Sequence, residues 1–479
     1  MTNPTAGPTA LPPVRVEPEA RQRIRKALVD AGRRIAVLDD DPTGSQTVHD
    51  VAVVTVFDPD EVAAGLDGPG GTCFILTNTR SMGEADAVAL NTRVGRTLFE
   101  LSRRLDAPVE VISRSDSTLR GHLIAEVTAL DAVRREVLGR GYDGVLLVPA
   151  YLEAGRFTAG DVHWARVGGE VLPVGETEFA RDATFGFSSS NMREFVAEKS
   201  GGTIRPDQVH SITLDDVRGG GPQRVAEILG AVTDGAFVVV NAVDYADLDV
   251  VTLGLLDAEA AGKTFLFRTG PSYPQPLAGL DPKPPLTASD IWPDGRPAGH
   301  GLVVVGSHVG LTSRQVAVAR ERGGLTAVEL DVPTVADPAR RDAHVAEVTA
   351  RVVDGLAGSE VLLFTSRTLL RDTDPAASLE IARTVSTAVI EVVRGAVPAE
   401  PAWVVAKGGI TSHDVAVRGL GIRRATVLGQ LLPGLVSVFR PVEAFPEIVG
   451  TPYVVFAGNV GDETTLAYVI DLFRGRTNP

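Results

Sequence analysis

Ile35-Ala36-Val37-Leu38 runs straight into Asp39-Asp40-Asp41-Pro42-Thr43-Gly44-Ser45-Gln46-Thr47. The short apolar run reads as a buried strand, and the Pro/Gly segment after it reads as a turn lined with hydroxyls. Three adjacent carboxylates repel one another, so packing gives little reason to keep them together. A ligand site at the carboxyl end of a strand does give one, because open α/β sheets bind ligands there. A solvated acidic turn is the alternative.

Outward from this junction, runs at 74–77, 109–113, 145–148 and 237–241 read as further strands, and 84–105 and 118–138 are long enough for helices. Ser81 followed by Glu84 predicts a capping box for the first helix. Cys73 reads as a strand-core residue. Alternating strands and helices imply a mostly parallel sheet covered on both faces. Polar residues gather where the strands end: Asn78, Thr79 and Arg80, then Arg114 to Arg120, then Tyr151 to Arg156, then Asp244. Parallel strands bring these ends to one edge, so they can converge with the aspartates on a single pocket. Arginines beside aspartates and hydroxyls suit a carboxylate-bearing polyol, since guanidinium holds carboxylate through paired hydrogen bonds.

The C-terminal part repeats another device three times. Leu302–Val305 leads to Gly306-Ser307-His308-Val309-Gly310, Trp403–Ala406 leads to Lys407-Gly408-Gly409-Ile410-Thr411, and Tyr453–Phe456 leads to Ala457-Gly458-Asn459-Val460-Gly461. Each strand stops at glycines and a helix follows, with Thr312 and Gln315 as the best capping-box pair. Glycines let backbone N–H groups approach an anion, and helix starts favour phosphate, so three such loops on one edge suit a nucleotide triphosphate. Ordinary βα turns are built from the same residues. Eight prolines between Pro271 and Pro297 mark an interdomain connection.

The chain of 479 residues, with 44% hydrophobic content and mean hydropathy +0.10, is that of a globular protein with well-buried cores. Net charge −15 and a pI near 5.1, without basic stretches, argue against nucleic acid or an anionic membrane as partner. One cysteine excludes an intrachain disulfide and multi-cysteine metal sites, and no apolar run approaches the roughly 18 to 20 residues of a membrane span. A cytoplasmic protein is expected. Gly262-Lys263-Thr264 has Asp257 where a phosphate loop needs glycine, and Gly139 to Gly144 has dinucleotide spacing but follows a helix and precedes a strand. Both are rejected. His122 and Glu126 read as a solvated pair, and no metal site is expected from protein ligands.

At Asp40-Asp41-Pro42-Thr43-Gly44, Asp116-Ser117-Thr118-Leu119-Arg120-Gly121, Pro149-Ala150 with Glu153 to Arg156, Gly306-Ser307, Gly408-Gly409 and Gly458-Asn459 with Gly461, the chain resembles the four-carbon acid sugar kinase family. The matches run in order through both halves. The resemblance implies an N-terminal domain for a tetronate-type acid, a C-terminal domain for ATP, and phosphorylation of the acid's terminal hydroxyl. It implies Asp40, Asp41, Asp116 and Arg120 as substrate-side residues; of these Asp41 and Asp116 are the catalytic candidates, and the strand-end reading adds Thr43, Arg80, Ser115 and Arg156 on the substrate side. The resemblance places Ser307, Gly408, Gly409, Thr411, Gly458 and Gly461 on the nucleotide side, and the reading of the glycine loops adds Ile410 and Asn459. Asp39, Pro42 and Ile410 depart from the family pattern, where Ala, a larger apolar residue and Glu are common.

The expected architecture is thus α/β in two domains, each a mostly parallel sheet flanked by helices, with the active site in the interdomain cleft. The expected divisions are a disordered lead at 1–20, a sugar-acid domain at 21–270, a connection at 271–300 and a nucleotide domain at 301–479. The expected reaction transfers the γ-phosphoryl group of ATP, with Mg²⁺, to a tetronate or 3-oxo-tetronate. A homodimer is admitted among the partners. Two rival readings are a sugar-acid sensor without chemistry and an NAD(P)-dependent hydroxy-acid dehydrogenase.

Overall fold

The computed structural model describes residues 7–8, 11–41, 44–45, 47–366 and 375–476. In chain order the strands are β1 (Arg34–Asp39), β2 (Val51–Val54), β3 (Thr72–Leu76), β4 (Val109–Arg114), β5 (Gly144–Val148), β6 (Arg156–Ala159), β7 (Val162–Val167), β8 (Glu170–Pro173) and β9 (His210–Ile212). They continue as β10 (Ala236–Val240), β11 (Phe265–Thr269), β12 (Leu302–Val305), β13 (Leu325–Leu330), β14 (Glu360–Thr365), β15 (Val404–Lys407), β16 (Arg424–Leu432), β17 (Leu435–Glu443) and β18 (Tyr453–Phe456). Two compact units result, Met1–Val48 with Phe57–Pro282, and His49–Val56 with Lys283–Pro479.

In the first unit β3, β1, β4, β11, β5, β10 and β9 lie side by side and every pairing is parallel. The central residues of β1, β3, β4, β5, β10 and β11 are buried, as strands covered on both faces must be. Helix Glu84–Leu105 begins and ends where the periodicity predicts, burying Ala87, Asn91, Val94, Leu98 and Leu101 along one stripe. Gly95 lies on that face, and a Cβ there would come 3.0 Å from Leu130 of helix Leu123–Leu138. The expected box at Ser81 is absent: Gly83 is the N-cap and the Ser81 hydroxyl donates to the Asn78 carbonyl. Strands β6, β7 and β8 form a small antiparallel sheet that the periodicity did not reveal.

In the second unit β13, β14, β12, β15 and β18 are parallel, and β17, β16 and β2 continue the sheet antiparallel. Strand β2 comes from the N-terminal part of the chain, and Val51 to Val54 pair with Val427 to Arg424. The boundary of 21–270 expected for one domain therefore misses this excursion, because partner choice is set by distant residues. The proline-rich stretch is likewise divided, with Pro271 to Pro282 in the first unit and Lys283 onward in the second. Within the lead expected to be disordered, buried Arg218 donates to the Pro12 carbonyl and Arg15 pairs with Glu17. Composition missed the Pro12 anchor because its partner, Arg218, lies some two hundred residues away. Among the described residues no helix is long and apolar enough to cross a membrane.

Candidate active site

The carboxyl ends of β1 and β4 sit next to each other, with Asp39 paired in register to Arg114. Asp39 is wholly buried, and Arg114 Nη1 donates to its Oδ1 at 2.8 Å. Gly44 closes the turn over this carboxylate, where a Cβ would fall 1.9 Å from Asp39 Oδ2. The departure at Asp39 is thus a buried post under the turn. Asp40 is also buried, with neither carboxylate oxygen hydrogen-bonded and Arg114 at 3.8 Å.

Asp41 is the accessible member of the triplet, with about a quarter of its side chain exposed. It pairs with Arg80, whose other nitrogen lies 3.5 Å from Asp116 Oδ1. Asp116 further accepts from Arg120 Nε at 2.6 Å and from the Thr118 hydroxyl. Arg156 donates to Ser117 Oγ at 2.8 Å and stacks over Phe179, as Arg120 does. Arg80, Arg120, Arg156, Asp41 and Asp116 therefore form one cluster at a strand edge. Ser115 is buried, its N–H held by the Thr269 carbonyl. Pro42 and Thr43 lie outside the described residues.

These carboxyls differ in character. Burial pushes Asp116 up, but Arg80, Arg120 and the Thr118 hydrogen bond outweigh it and bring it to about 2. Burial wins at Asp39, raised to about 6, and at Asp40, raised to about 7 against the pull of Arg80, Arg114 and Arg268. With an unfolded pKa of about 3.9, the folded chain holds an extra proton on Asp40 between about pH 4 and 7, so stability falls as pH rises through that window. Asp40→Asn, neutral throughout, gains stability relative to the parent from pH 4 to 8; urea denaturation across that range checks it, and a difference independent of pH contradicts it.

In the second unit β12, β15 and β18 are neighbours, so their three glycine loops meet on one edge. They meet without room for side chains. A Cβ on Gly306 would sit 2.4 Å from Thr411 Oγ1, on Gly458 2.5 Å from Ser307 Oγ, and on Gly408 2.9 Å from Thr411 Oγ1. Gly408 also has φ +124, a left-handed value that side chains disfavour. Thr312 and Gln315 do not form the expected capping box. Thr312 Oγ1 donates to the Gly458 carbonyl at 2.7 Å and Gln315 Nε2 to the Val460 carbonyl at 3.1 Å, pinning the third loop from the first helix. Beside the loops lies a cavity of about 340 Å³ with apolar walls from Val332, Val385, Val389 and Ile390 and a rim of Gly306, Thr411 and Asp414. Ile410, largely exposed, stands at that cavity; Gly409 has open space beside it, Asn459 is exposed, and a Cβ on Gly461 would come 2.4 Å from Thr465 Oγ1.

The sequence reading missed two supporting pairs. Glu126, expected to pair with His122, is buried and bound instead by Arg268, Thr79 and Asn91, while the His122 ring contacts the Met82 carbonyl. Arg114, noted only as part of a polar run, is the partner of Asp39. The signal for both is an arginine near the end of a buried strand, Arg268 in β11 and Arg114 in β4. Among the described residues no three His, Cys, Asp or Glu side chains converge as a metal site.

A sugar-binding N-terminal domain family matches residues 35–277, and a nucleotide-binding C-terminal domain family matches residues 302–466. The D-erythronate kinase of Heliobacterium modesticaldum is 28% identical over 297 residues, 60% of this chain and 59% of that enzyme. The match thus spans less than two thirds of its relative's length. Crystal structures of a Salmonella typhimurium LT2 protein described as a tRNA synthase and of a Haemophilus influenzae protein superpose with TM-scores of 0.68 and 0.64 at 16% identity. They cover 91% and 92% of this chain and 98% and 99% of those chains, a likeness of fold alone.

Proposed function

We propose that this chain, which belongs to the four-carbon acid sugar kinase family, transfers the γ-phosphoryl group of ATP to the terminal hydroxyl of a tetronate or 3-oxo-tetronate. The observation that carries the reading is the arginine cluster joining Asp41 and Asp116, in a chain that also builds a glycine-lined cradle beside an apolar cavity. Arg120 and Arg156 hold the acid's carboxylate. Asp41, the most accessible of the carboxylates, orients the hydroxyl and takes its proton, while Asp116 anchors Arg80 and Arg120. Asp116 thereby becomes a clamp and a poor base, since a group ionised down to about pH 2 has little affinity for a proton at neutral pH.

The cavity receives the nucleobase, and the backbone N–H groups around Gly408 and Gly458 face the phosphates. A polyphosphate suits this edge, because Gly306, Gly408 and Gly458 let the three loops pack closely, with the Ser307 and Thr411 hydroxyls beside their backbones. Mg²⁺ would arrive on the phosphates and neutralise charge there, which suits a chain without a converged ligand set among its described residues. The test is ADP release over D-erythronate, D- and L-threonate and their 3-oxo forms. Turnover with at least one is expected. Binding of an acid without ADP release would favour the sensor reading.

A further inference from the structure

Lys407 ends β15 immediately before Gly408, and its side chain is wholly buried. Its ammonium lies 3.6 Å from the centroid of the Phe456 ring and donates to the Ala457 carbonyl at 3.0 Å. Among the described residues it forms no ion pair with a carboxylate. A buried charge normally survives only with a counter-charge and a full set of hydrogen bonds, and removing an ammonium from water costs several kcal/mol. A methionine would fill the same core space without that cost. The lysine's place is therefore explained by a negative charge that arrives.

We infer that Lys407 is the positive charge beneath the nucleotide loops, a positioning residue that ties phosphate binding to the orientation of the Ala457-Gly458 peptide. In a trans peptide the C=O and N–H point in opposite directions, so holding the Ala457 carbonyl toward the ammonium turns the Gly458 N–H the other way. Thr312 holds the next carbonyl, that of Gly458. Successive carbonyls are thus tied into the protein, leaving amides of the loop for an anion. The inference rests on reading the second unit as a nucleotide-binding domain.

Burial alone lowers Lys407, to about 7, with no charged neighbour contributing. The titratable groups on the elements around it are His308, His413, Asp414, Tyr453 and Asp462, and none enters its shift. Phosphates brought onto the loops restore its proton. Calorimetry of MgADP binding at pH 8, in two buffers of different ionisation heat, reads this directly, because phosphates with a second pKa of about 6 are already ionised there. Uptake of about 0.5 to 0.9 proton per ADP is expected, and none with adenosine. Lys407→Met loses the uptake and weakens ADP at least about tenfold while adenosine binds as before.

ADP binding with less than about 0.1 proton taken up overturns the inference and leaves the nucleotide reading standing. An unchanged ratio of ADP to adenosine affinity in Lys407→Met does the same. Absence of binding by either ligand overturns both. Should the variant not fold, the uptake by the native chain decides alone.

Discussion

With ATP and an accepted tetronate, Asp41→Asn is expected to lower kcat by roughly 10²- to 10⁴-fold, the usual worth of a general base, with a smaller change in KM for the acid. Four carboxylates crowd the strand edge, and Asp41, paired with Arg80 and about a quarter exposed, is the most accessible of them. Asp39 and Asp40 are buried, and Asp116 is engaged by Arg80, Arg120 and Thr118. Asparagine keeps the shape and the contact to Arg80 through its oxygen while removing the proton acceptor. Asp116→Asn should behave differently: the arginines lose their anchor, so KM for the acid rises more than kcat falls. Steady-state kinetics of both variants separate the roles. The reverse pattern would make Asp116 the base, and near-normal turnover in both would remove a general base from this cluster.

Glu126→Gln is expected to destabilise the first unit by about 3–5 kcal/mol, because it strips a buried arginine of its counter-charge. Arg268 is almost fully buried and has Glu126 as its ion-pair partner, with a further hydrogen bond to Ser113 Oγ at 2.7 Å. Glutamine preserves volume and can still accept from Thr79, so the loss reports charge more than packing. Pairing Glu126→Leu with Arg268→Met removes both charges and should recover much of the stability. The damage would reach the site as well. A Cβ on Gly121 would lie 2.9 Å from Arg268 Nη2 and 3.3 Å from Asp40 Oδ2, so Arg268 and Asp40 flank the same turn. Guanidinium denaturation of the two variants checks this, and an unchanged midpoint in Glu126→Gln contradicts it.

What could be read along the chain was local. Apolar runs placed β1, β4, β5, β10, β12 and β18 to within a residue or two, and Glu84–Leu105 was legible from its stripe. The three glycine loops stood out because strand, tight turn and helix follow one another. What escaped depends on which distant elements become neighbours. Phe265–Phe267 reads as a strand, but nothing local says that it inserts between β4 and β5 and so brings Arg268 to Glu126. The hydroxyl of Thr312 suggested a cap, whereas the fold sends it across to Gly458. Lys407 looked like one more loop residue until its burial without a carboxylate became visible.

The central claim is that the acid itself leaves the reaction phosphorylated. Incubating the chain with MgATP and each tetronate, then recording the phosphorus NMR spectrum, tests this most directly. The account predicts a phosphate monoester resonance coupled to the protons of the terminal CH₂ of one tetronate, growing as ADP appears. Inorganic phosphate as the only new signal, or a spectrum unchanged from ATP with every acid, would contradict it.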